Sequence, residues 1–369
     1  MNSIDLSRSP QRILLIKPSA LGDIVHALPV LSLVRRRWPE AHIAWLVNRA
    51  FAELLDGHPQ LDEVISFDRR RFARGWRDPF AAVGLQRFLR SLRRREFDLV
   101  IDLQGLFRSG WMTMSTRAPV RVGFANAREL AHLFYTHRVP IGSAELHAVD
   151  RYLAVCDALG CGRGPVNFTL PVNEEDRASV RTMLNGVGED YAVLVPGTNW
   201  ATKRWPAEHF AALVGPLSER FGLRAVVAGG KDVSPIAHQI PGAVDLTGQT
   251  NLRELVALLD GAALVIANDS GPMHIAAALD RPLVTMFGPT NPVRTGPYGR
   301  PDSVVRLDIE CSPCYSRQCS HTSCLKWLSA EMVLDVAEKQ MRSFASSHLP
   351  IVPKPAAGGA GDSDLGPIS

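Results

Sequence analysis

Apolar, β-branched runs alternate with segments of helical spacing along almost the whole chain. The run 13–16 precedes helical spacing over 24–37, and the run 264–267 precedes helical spacing over 273–279. Such alternation is typical of parallel sheets whose helices cover both faces. We therefore predict an α/β protein built from doubly wound, Rossmann-like sheets. The predicted strands are 12–17, 42–47, 98–102, 121–124, 191–195, 224–228, 263–267 and 282–287, and the predicted helices are 24–37, 51–55, 80–95, 106–116, 207–221, 233–239, 252–259 and 273–279.

The length of the chain indicates more than one domain. A chain of 369 residues exceeds the size at which a single hydrophobic core usually stops growing. Glycines and a proline cluster at 160–165, where a boundary is expected. We predict one Rossmann-like domain over 12–164 and a second over 165–345. The segment 346–369 is rich in Pro, Gly, Ala and Ser, which predicts a disordered tail.

The composition is that of a globular protein, with 46% hydrophobic and 21% charged residues. No apolar run approaches the roughly 18 residues that cross a bilayer. Residues 1–11 are polar and lack the apolar stretch of a signal peptide. These features together favour a cytoplasmic protein.

Positive charge is concentrated in one part of the chain. The net charge is only +4, yet ten arginines lie between Arg69 and Arg95 against a single acid, Asp78. Within this block, 80–95 mixes apolar and basic residues at helical spacing, as in a segment that lies on an anionic leaflet. The alternative is a domain helix with a solvated charged face. No aromatic-interleaved basic groove or known motif favours nucleic acid as the partner.

Two turns place a carboxylate beside a glycine directly after an apolar run. They are 18–24, which contains Gly22 and Asp23, and 268–274, which contains Asp269 and Gly271. Turns of this kind lie at the carboxyl ends of parallel strands, where ligands bind. One such turn in each half of the chain predicts two sheets that face each other across a cleft, with a donor on one side and an acceptor on the other.

Further ligand-suited turns follow other strands of the second half. In 195–206, Gly197 allows close backbone approach, and Lys203 supplies a point charge suited to phosphate. The turns 229–232 and 287–292 add to this set. Taken singly, each is explained better by a solvated loop or a helix cap than by a ligand site. Together they predict a nucleotide diphosphate site, and the absence of P-loop and G-x-G-x-x-G spacings disfavours a kinase or a nicotinamide dehydrogenase.

The motifs at 21–23, 203–206, 268–274 and 287–290 occur in an order and at separations that resemble glycosyltransferase family 9, the lipopolysaccharide heptosyltransferases. The segments 98–109, 133–135 and 147–151 are most similar to heptosyltransferase I of that family, whereas 197–202 is nearer to the second heptosyltransferase. The resemblance implies a GT-B fold and an inverting transfer of heptose from ADP-heptose to the Kdo region of lipid A. It implies no required cofactor or divalent metal. It also implies a peripheral location at the inner face of the inner membrane, with an anionic membrane surface as partner.

The resemblance also assigns roles to individual residues. Asp23 is the expected catalytic base, and its structural alternative is to serve only as a helix N-cap. Asp102 is the second candidate for the base. The anionic acceptor is expected to bind Arg69, Arg70, Arg71 and Arg74, because arginine pairs with carboxylate and phosphate in bidentate fashion. The expected donor-binding residues are Thr198, Thr202, Lys203, Asp232, Asp269, Ser270, Gly271 and His274.

Other interpretations stay open at this point. One is a family 9 transferase that uses another nucleotide sugar or another acceptor, such as the second heptose. A nucleotide-sugar epimerase on the same fold and a non-catalytic nucleotide-sugar-binding relative are two more. Cysteines 311, 314, 319 and 324 follow C-x2-C-x4-C-x4-C spacing, which predicts a structural zinc site only moderately, because the second pair is not a C-x2-C knuckle. Disulfides are disfavoured in a reducing cytoplasm.

Overall fold

Two six-stranded, fully parallel sheets form the framework of the computed structural model, which describes residues 4–6, 8–68, 78–143, 145–188 and 190–347. The first sheet has the order β3-β2-β1-β4-β5-β6. Its strands are β1 (Arg12–Ile16), β2 (His42–Asn48), β3 (Glu63–Phe67), β4 (Leu99–Asp102), β5 (Val120–Phe124) and β6 (His137–Val139).

The second sheet repeats this topology and has the order β12-β11-β10-β7-β8-β9. Both sheets thus have the strand order of Rossmann folds, and the predicted fold class is confirmed. The two sheets lie on either side of the boundary expected at 160–165. The strands of the second sheet are β7 (Tyr191–Val195), β8 (Arg224–Val227), β9 (Val244–Asp245), β10 (Leu264–Asn268), β11 (Leu283–Phe287) and β12 (Val304–Arg306).

Helices cover both sheets, and most of the predicted ones are present with shifted ends. They are α1 (Leu21–Arg37), α2 (Pro79–Arg94), α3 (Phe107–Ser115), α4 (Ala148–Ala158), α5 (Glu174–Met183), α6 (Ala207–Phe221), α7 (Ser234–Ala237), α8 (Leu252–Asp260), α9 (Gly271–Ala278), α10 (Pro292–Thr295), α11 (Ser323–Lys326) and α12 (Ala330–Ser347). The segment 51–55 lies in a 3-10 helix, Arg49–Leu54, rather than an α-helix. Helix α12 was not predicted, although Val333, Leu334 and Ala337 give it a buried apolar face. It extends to Ser347 and so overlaps the start of the expected disordered tail, whose remainder lies outside the described residues.

The central strands are buried on both faces. Ile13, Leu14, Leu15 and Ile16 of β1 are all fully buried, and β10 is buried along its whole length. Strands that helices cover on both sides have no solvent face, so they read as continuous apolar runs rather than as an alternating pattern. This burial explains why the strand signal was clear in the sequence.

The amino-terminal ends of α1 and α9 meet between the two sheets. A Cβ built on Gly22 would lie 2.3 Å from Cδ2 of His274, and one built on Gly271 would lie 2.7 Å from Cδ2 of Leu21. Two glycines therefore allow a closer approach of these helix ends than any side chain would permit. Further hydrogen bonds between the two halves join Tyr298 to Asp150, His147 to Gly296, Asn291 to Glu145, Leu252 to Glu53, and Arg253 to Asp56.

None of the helices among the described residues is both long enough and apolar enough to span a membrane.

Candidate active site

The two turns that carry a carboxylate beside a glycine come together across the cleft. The first follows β1 and opens α1, and the second follows β10 and opens α9. Because Gly22 packs on His274, the turn with Asp23 lies directly against the turn with Asp269. The structure thus brings the expected base and the expected donor site to one place.

Asp23 lies at the third position of α1 rather than at its N-cap. Its Oδ2 accepts the backbone N–H of Ala20 at 3.1 Å, which satisfies one free donor of the helix start and explains why α1 begins three residues earlier than predicted. Its Oδ1 accepts a hydrogen bond from the Tyr152 hydroxyl at 3.3 Å. The side chain is 41% exposed, so it supports the helix and still opens to the cleft.

Lys17, which sequence reasoning did not select, lies beside this carboxylate. Its Nζ is 3.8 Å from Oδ2 of Asp23 and 4.9 Å from the centre of the Tyr152 ring, and the side chain is only 3% exposed. Burial lowers the pKa of this lysine, although the carboxylates of Asp23 and Asp102 act in the opposite direction. A single lysine at the end of an otherwise apolar strand was the signal that could have identified it.

Asp102, the reserve candidate for the base, is enclosed by its own turn. It is fully buried, accepts the Tyr135 hydroxyl at 2.7 Å, and accepts the backbone N–H groups of Gln104 and Gly105 at 2.8 and 3.2 Å. Burial raises its pKa, against the effect of these hydrogen bonds. A carboxylate with this environment holds the turn after β4 and does not reach a substrate, so the geometry favours Asp23.

On the opposite wall of the cleft, Lys203 and Asp269 form a buried ion pair. Nζ of Lys203 lies 2.6 Å from Oδ2 of Asp269, with exposed fractions of 15% and 7%. Thr290 donates its hydroxyl to the same carboxylate oxygen at 2.6 Å. The alternative in which Lys203 is merely solvated is therefore wrong. Asp269 does not cap α9, because its carboxylate is engaged with these two partners.

Ser270 occupies the N-cap position of α9 but makes no side-chain cap hydrogen bond. Its hydroxyl is buried and has no hydrogen-bond partner in the described part of the chain. Ser270 therefore does not cap α9 through its side chain. An unpartnered hydroxyl beside the free N–H groups of a helix start is suited to an anionic ligand.

The other expected donor-binding residues, Thr198, Thr202 and Asp232, lie in three different environments. Thr198 donates to the backbone carbonyl of Asp269 at 3.1 Å, at the edge of the site. The hydroxyl of Thr202 is buried and donates to the carbonyl of Ser316 at 2.8 Å, so this residue anchors a loop and does not present a free hydroxyl. Asp232 is exposed on a short 3-10 helix, Lys231–Val233.

A cavity of about 430 Å³, here called the arginine cavity, opens beside Asp23. Three arginines from separate segments border it, Arg128, Arg151 and Arg294. Arg151 is oriented by a 3.2 Å hydrogen bond to Oδ1 of Asn126. Sequence reasoning missed all three as ligands, because none belongs to the dense arginine block. The remaining lining residues are Lys17, Leu103, Gln104, Gly105, Phe124, Asn126, Leu146, Ala148, Tyr152 and Thr295.

The four arginines expected to bind the acceptor, Arg69, Arg70, Arg71 and Arg74, lie outside the described residues. Their role stays a prediction. Helix α2, which follows them, carries Arg87, Arg90, Arg93 and Arg94 of the block, and its Leu92 is buried whereas Phe80 is 83% exposed.

The cysteine segment contains free thiols. Cys311, Cys314 and Cys319 are exposed, and Cys324 is buried. Among the described residues, no three His, Cys, Asp or Glu side chains are grouped in a way that could hold a metal ion. The zinc site stays an untested prediction.

Comparison with known proteins agrees with this geometry. Residues 85–325 match glycosyltransferase family 9 (heptosyltransferase). The chain is 33% identical to lipopolysaccharide heptosyltransferase 1 of Pseudomonas aeruginosa over 84% of its own length and 88% of that protein.

Solved structures of Escherichia coli heptosyltransferase WaaC also resemble the chain. The complex with ADP has a TM-score of 0.72 at 29% identity, and the complex with ADP-2-deoxy-2-fluoro heptose has a TM-score of 0.70 at 28% identity. Each likeness covers 89% of this chain and 99% of the WaaC chain. The predicted GT-B architecture is thereby confirmed. The chain has two sheets in Rossmann order and a carboxylate that lies across one cleft from a buried lysine. Together with the family match and the similarity to these relatives, these features show that the chain belongs to glycosyltransferase family 9, the heptosyltransferases.

Proposed function

We propose that this protein transfers heptose from ADP-heptose to a Kdo residue of lipid A in lipopolysaccharide inner-core synthesis, with inversion at the anomeric carbon. The observation that carries the proposal is that His274 packs on the residue before Asp23 and lies within the electrostatic field of Asp23 and of the Lys203–Asp269 pair, while Asp23 borders the arginine cavity. The similarity of the chain to heptosyltransferase 1, and to WaaC structures that contain ADP or a fluorinated ADP-heptose, supports the same proposal.

The donor side of the cleft is suited to a departing diphosphate. As the bond from the anomeric carbon to the phosphate oxygen breaks, negative charge grows on the diphosphate. The Lys203 ammonium, the unpartnered Ser270 hydroxyl and the first N–H groups of α9 supply the positive potential that stabilises this charge. These groups are fixed before the reaction, so they need little reorganisation.

The acceptor side supplies the base. A Kdo hydroxyl placed beside Asp23 loses its proton to the carboxylate as the new bond forms at the anomeric carbon. Glycosyl transfer passes through an oxocarbenium-like transition state, so departure of the leaving group carries much of the barrier and a weak base suffices. Lys17 at 3.8 Å balances the negative charge of the carboxylate before it takes the proton.

The arginine cavity is the place we assign to the Kdo carboxylate. Replacing Arg128 and Arg294 together by glutamine is expected to raise the acceptor KM by about tenfold or more, because hydrogen bonds between charged groups are lost. The donor KM should change little, since neither side chain borders the Lys203–Asp269 pair. Release of ADP from ADP-heptose with a de-acylated Kdo acceptor measures both constants.

The control for this experiment is Arg224→Gln, which removes an exposed arginine at the start of β8 in the second sheet. Its KM values should match those of the wild type. An unchanged acceptor KM in the double variant would remove the cavity from acceptor binding. No ADP release by the wild type from ADP-heptose with the de-acylated Kdo acceptor would contradict the proposed function itself.

A second basic region supports the proposed partner, an anionic membrane surface at the inner face of the inner membrane. A cavity of about 630 Å³ between α2 and α3, here called the basic groove, is bordered by Arg90, Arg93, Arg117 and Arg121. None of the described residues that line it is a carboxylate. Arg90, Arg93 and Arg117 are exposed, whereas Arg121 is half-buried and donates to the carbonyls of Phe134 and Ala118. Arginines that converge without acids attract anionic head groups, and the exposed Phe80 of α2 adds an apolar contact.

Replacing Arg90 and Arg93 by glutamine is expected to weaken binding to phosphatidylglycerol vesicles about 30-fold, because each basic residue near an anionic surface contributes about 1 kcal/mol to the binding free energy. Co-sedimentation measures the partition. The matched control, Arg224→Gln with Lys339→Gln, removes the same charge from the second half of the chain and should bind as the wild type does. Equal wild-type binding to phosphatidylcholine and phosphatidylglycerol vesicles would refute this partner.

A further inference from the structure

A hydrogen bond between two buried histidines crosses from one half of the molecule to the other. Nε2 of His26 on α1 lies 2.9 Å from Nδ1 of His274 on α9, and the two residues are 4% and 8% exposed. The ring of His147 packs edge-on against His26 at 5.2 Å between ring centres. His26 lies one helical turn after Gly22, so both contact the same imidazole of His274.

The surroundings of His26 decide which nitrogen carries its proton. Its Nδ1 is buried and has no hydrogen-bond partner in the described part of the chain. Either tautomer leaves this nitrogen unpaired, and a buried N–H without an acceptor is rarer in native structures than an unpaired acceptor. The proton therefore resides on Nε2, and His26 donates it to Nδ1 of His274. A neutral His274 must then carry its own proton on Nε2.

Both rings are neutral near pH 7. Burial lowers the pKa of His26 well below its usual value, and the neighbouring His274, His147 and Lys17 act in the same direction. Burial also lowers the pKa of His274 to about 4, although Asp269 and Asp23 favour its charged form. Because each folded-state pKa lies below 7, the neutral form is the one present at neutral pH.

The Nε2 edge of His274 lies against the start of α1. A Cβ on Gly22 would lie 3.0 Å from Nε2, which places this nitrogen next to the residue that precedes Asp23. No hydrogen-bond partner for Nε2 is present among the described residues, and the atom is not sealed from solvent. An N–H donor is thus available at the cleft, within the field of Asp23, Asp269 and Lys203.

We infer that His26 is a positioning residue that holds His274 as the Nε2–H tautomer, so that a neutral imidazole donates a hydrogen bond to the anionic part of the donor substrate. This inference rests on the proposed function for the identity of that substrate. A neutral imidazole N–H is a hydrogen-bond donor and not a proton donor at this pH, so it stabilises negative charge without transferring its proton. The base remains Asp23.

The kinetic test compares two replacements of His26. His26→Leu removes the donor and is expected to lower kcat about tenfold or more, with the donor KM changed less than about threefold, because the interaction strengthens as charge develops. His26→Gln keeps an N–H near the position of Nε2 and should retain kcat within about threefold. In a His274→Ala background, His26→Leu should cause no further loss, since the two residues act as a unit.

A matched control separates this role from loss of a buried ring. His58 is also buried, and its Nε2 contacts the carbonyl of Thr169 away from the cleft. His58→Leu should lower the melting temperature and leave kcat unchanged. The inference would be overturned if His26→Leu left kcat unchanged. It would also be overturned if His26→Leu lowered kcat as much in the His274→Ala background as in the wild type.

A spectroscopic test does not depend on the substrate. Nitrogen-15 chemical shifts of the imidazoles in the unliganded protein, assigned with the His26 and His274 variants, should show a protonated Nε2 and an unprotonated Nδ1 in His274. In His26→Leu the tautomers of His274 should mix. A protonated Nδ1 in the wild type would refute the inference even if heptose transfer is confirmed, whereas the expected spectrum without turnover would contradict only the proposed function.

Discussion

Asp23→Asn is expected to lower kcat for heptose transfer about 1,000-fold, within the range by which a positioned general base accelerates a reaction. The amide oxygen of asparagine can still accept the N–H of Ala20, and its Nδ2 group, in place of Oδ1, can donate to the Tyr152 hydroxyl oxygen. The start of α1 should therefore persist, and the loss should report the missing base. Release of ADP measures turnover, and calorimetric titration of ADP should show donor binding close to that of the wild type.

The control is the other carboxylate at the end of a strand. Asp102→Asn keeps an oxygen for the N–H groups of Gln104 and Gly105 but loses the buried acceptor of the Tyr135 hydroxyl, so it should lower the melting temperature more than Asp23→Asn does. Its remaining folded fraction should still turn over. Near-normal ADP release by Asp23→Asn would remove Asp23 from the role of base, and loss of turnover with full stability in Asp102→Asn would transfer that role to Asp102.

Gly22→Ala is expected to lower kcat/KM at least about 100-fold, because a displacement of about 1 Å in a reacting geometry has an effect of that size. The added methyl would lie 2.3 Å from Cδ2 of His274 and 3.3 Å from its Cγ, so α1 and α9 must separate. That separation moves Asp23 away from the donor site and weakens the His26–His274 hydrogen bond. Steady-state kinetics and the melting temperature measure the two consequences.

The matched control is Gly215→Ala on α6, where the nearest atom to the new methyl is Oε1 of Glu219 at 3.9 Å. Alanine is favoured over glycine within a helix by about 1 kcal/mol, so this variant should be slightly more stable and fully active. Gly271→Ala, whose methyl would lie 2.7 Å from Cδ2 of Leu21, should share the loss of Gly22→Ala. Wild-type kcat/KM in both cleft variants would show that close helix contact is not required.

Several residue roles could be predicted only in part, for a common physical reason. The position of Asp23 and Lys203 at strand ends follows from local spacing, but their partners do not. The engagement of Asp269 with Lys203 and Thr290, and of Thr202 with Ser316, depends on loops that are far apart in the chain. Asp269 and Ser270 do not cap α9 through their side chains, because the Asp269 carboxylate is engaged by these tertiary partners and the Ser270 hydroxyl is unpaired among the described residues.

The sequence by itself determined the layered α/β architecture, because strands buried on both faces must be continuously apolar and helices must repeat at 3.6 residues. It also determined where ligand-suited turns occur, since glycines and carboxylates mark the ends of strands. Only the tertiary structure decided which turns meet. The contact between His26 and His274 joins residues 248 positions apart, and the three arginines of the arginine cavity come from separate segments. Such juxtapositions depend on how the two sheets and their helices pack against each other, which no local periodicity encodes.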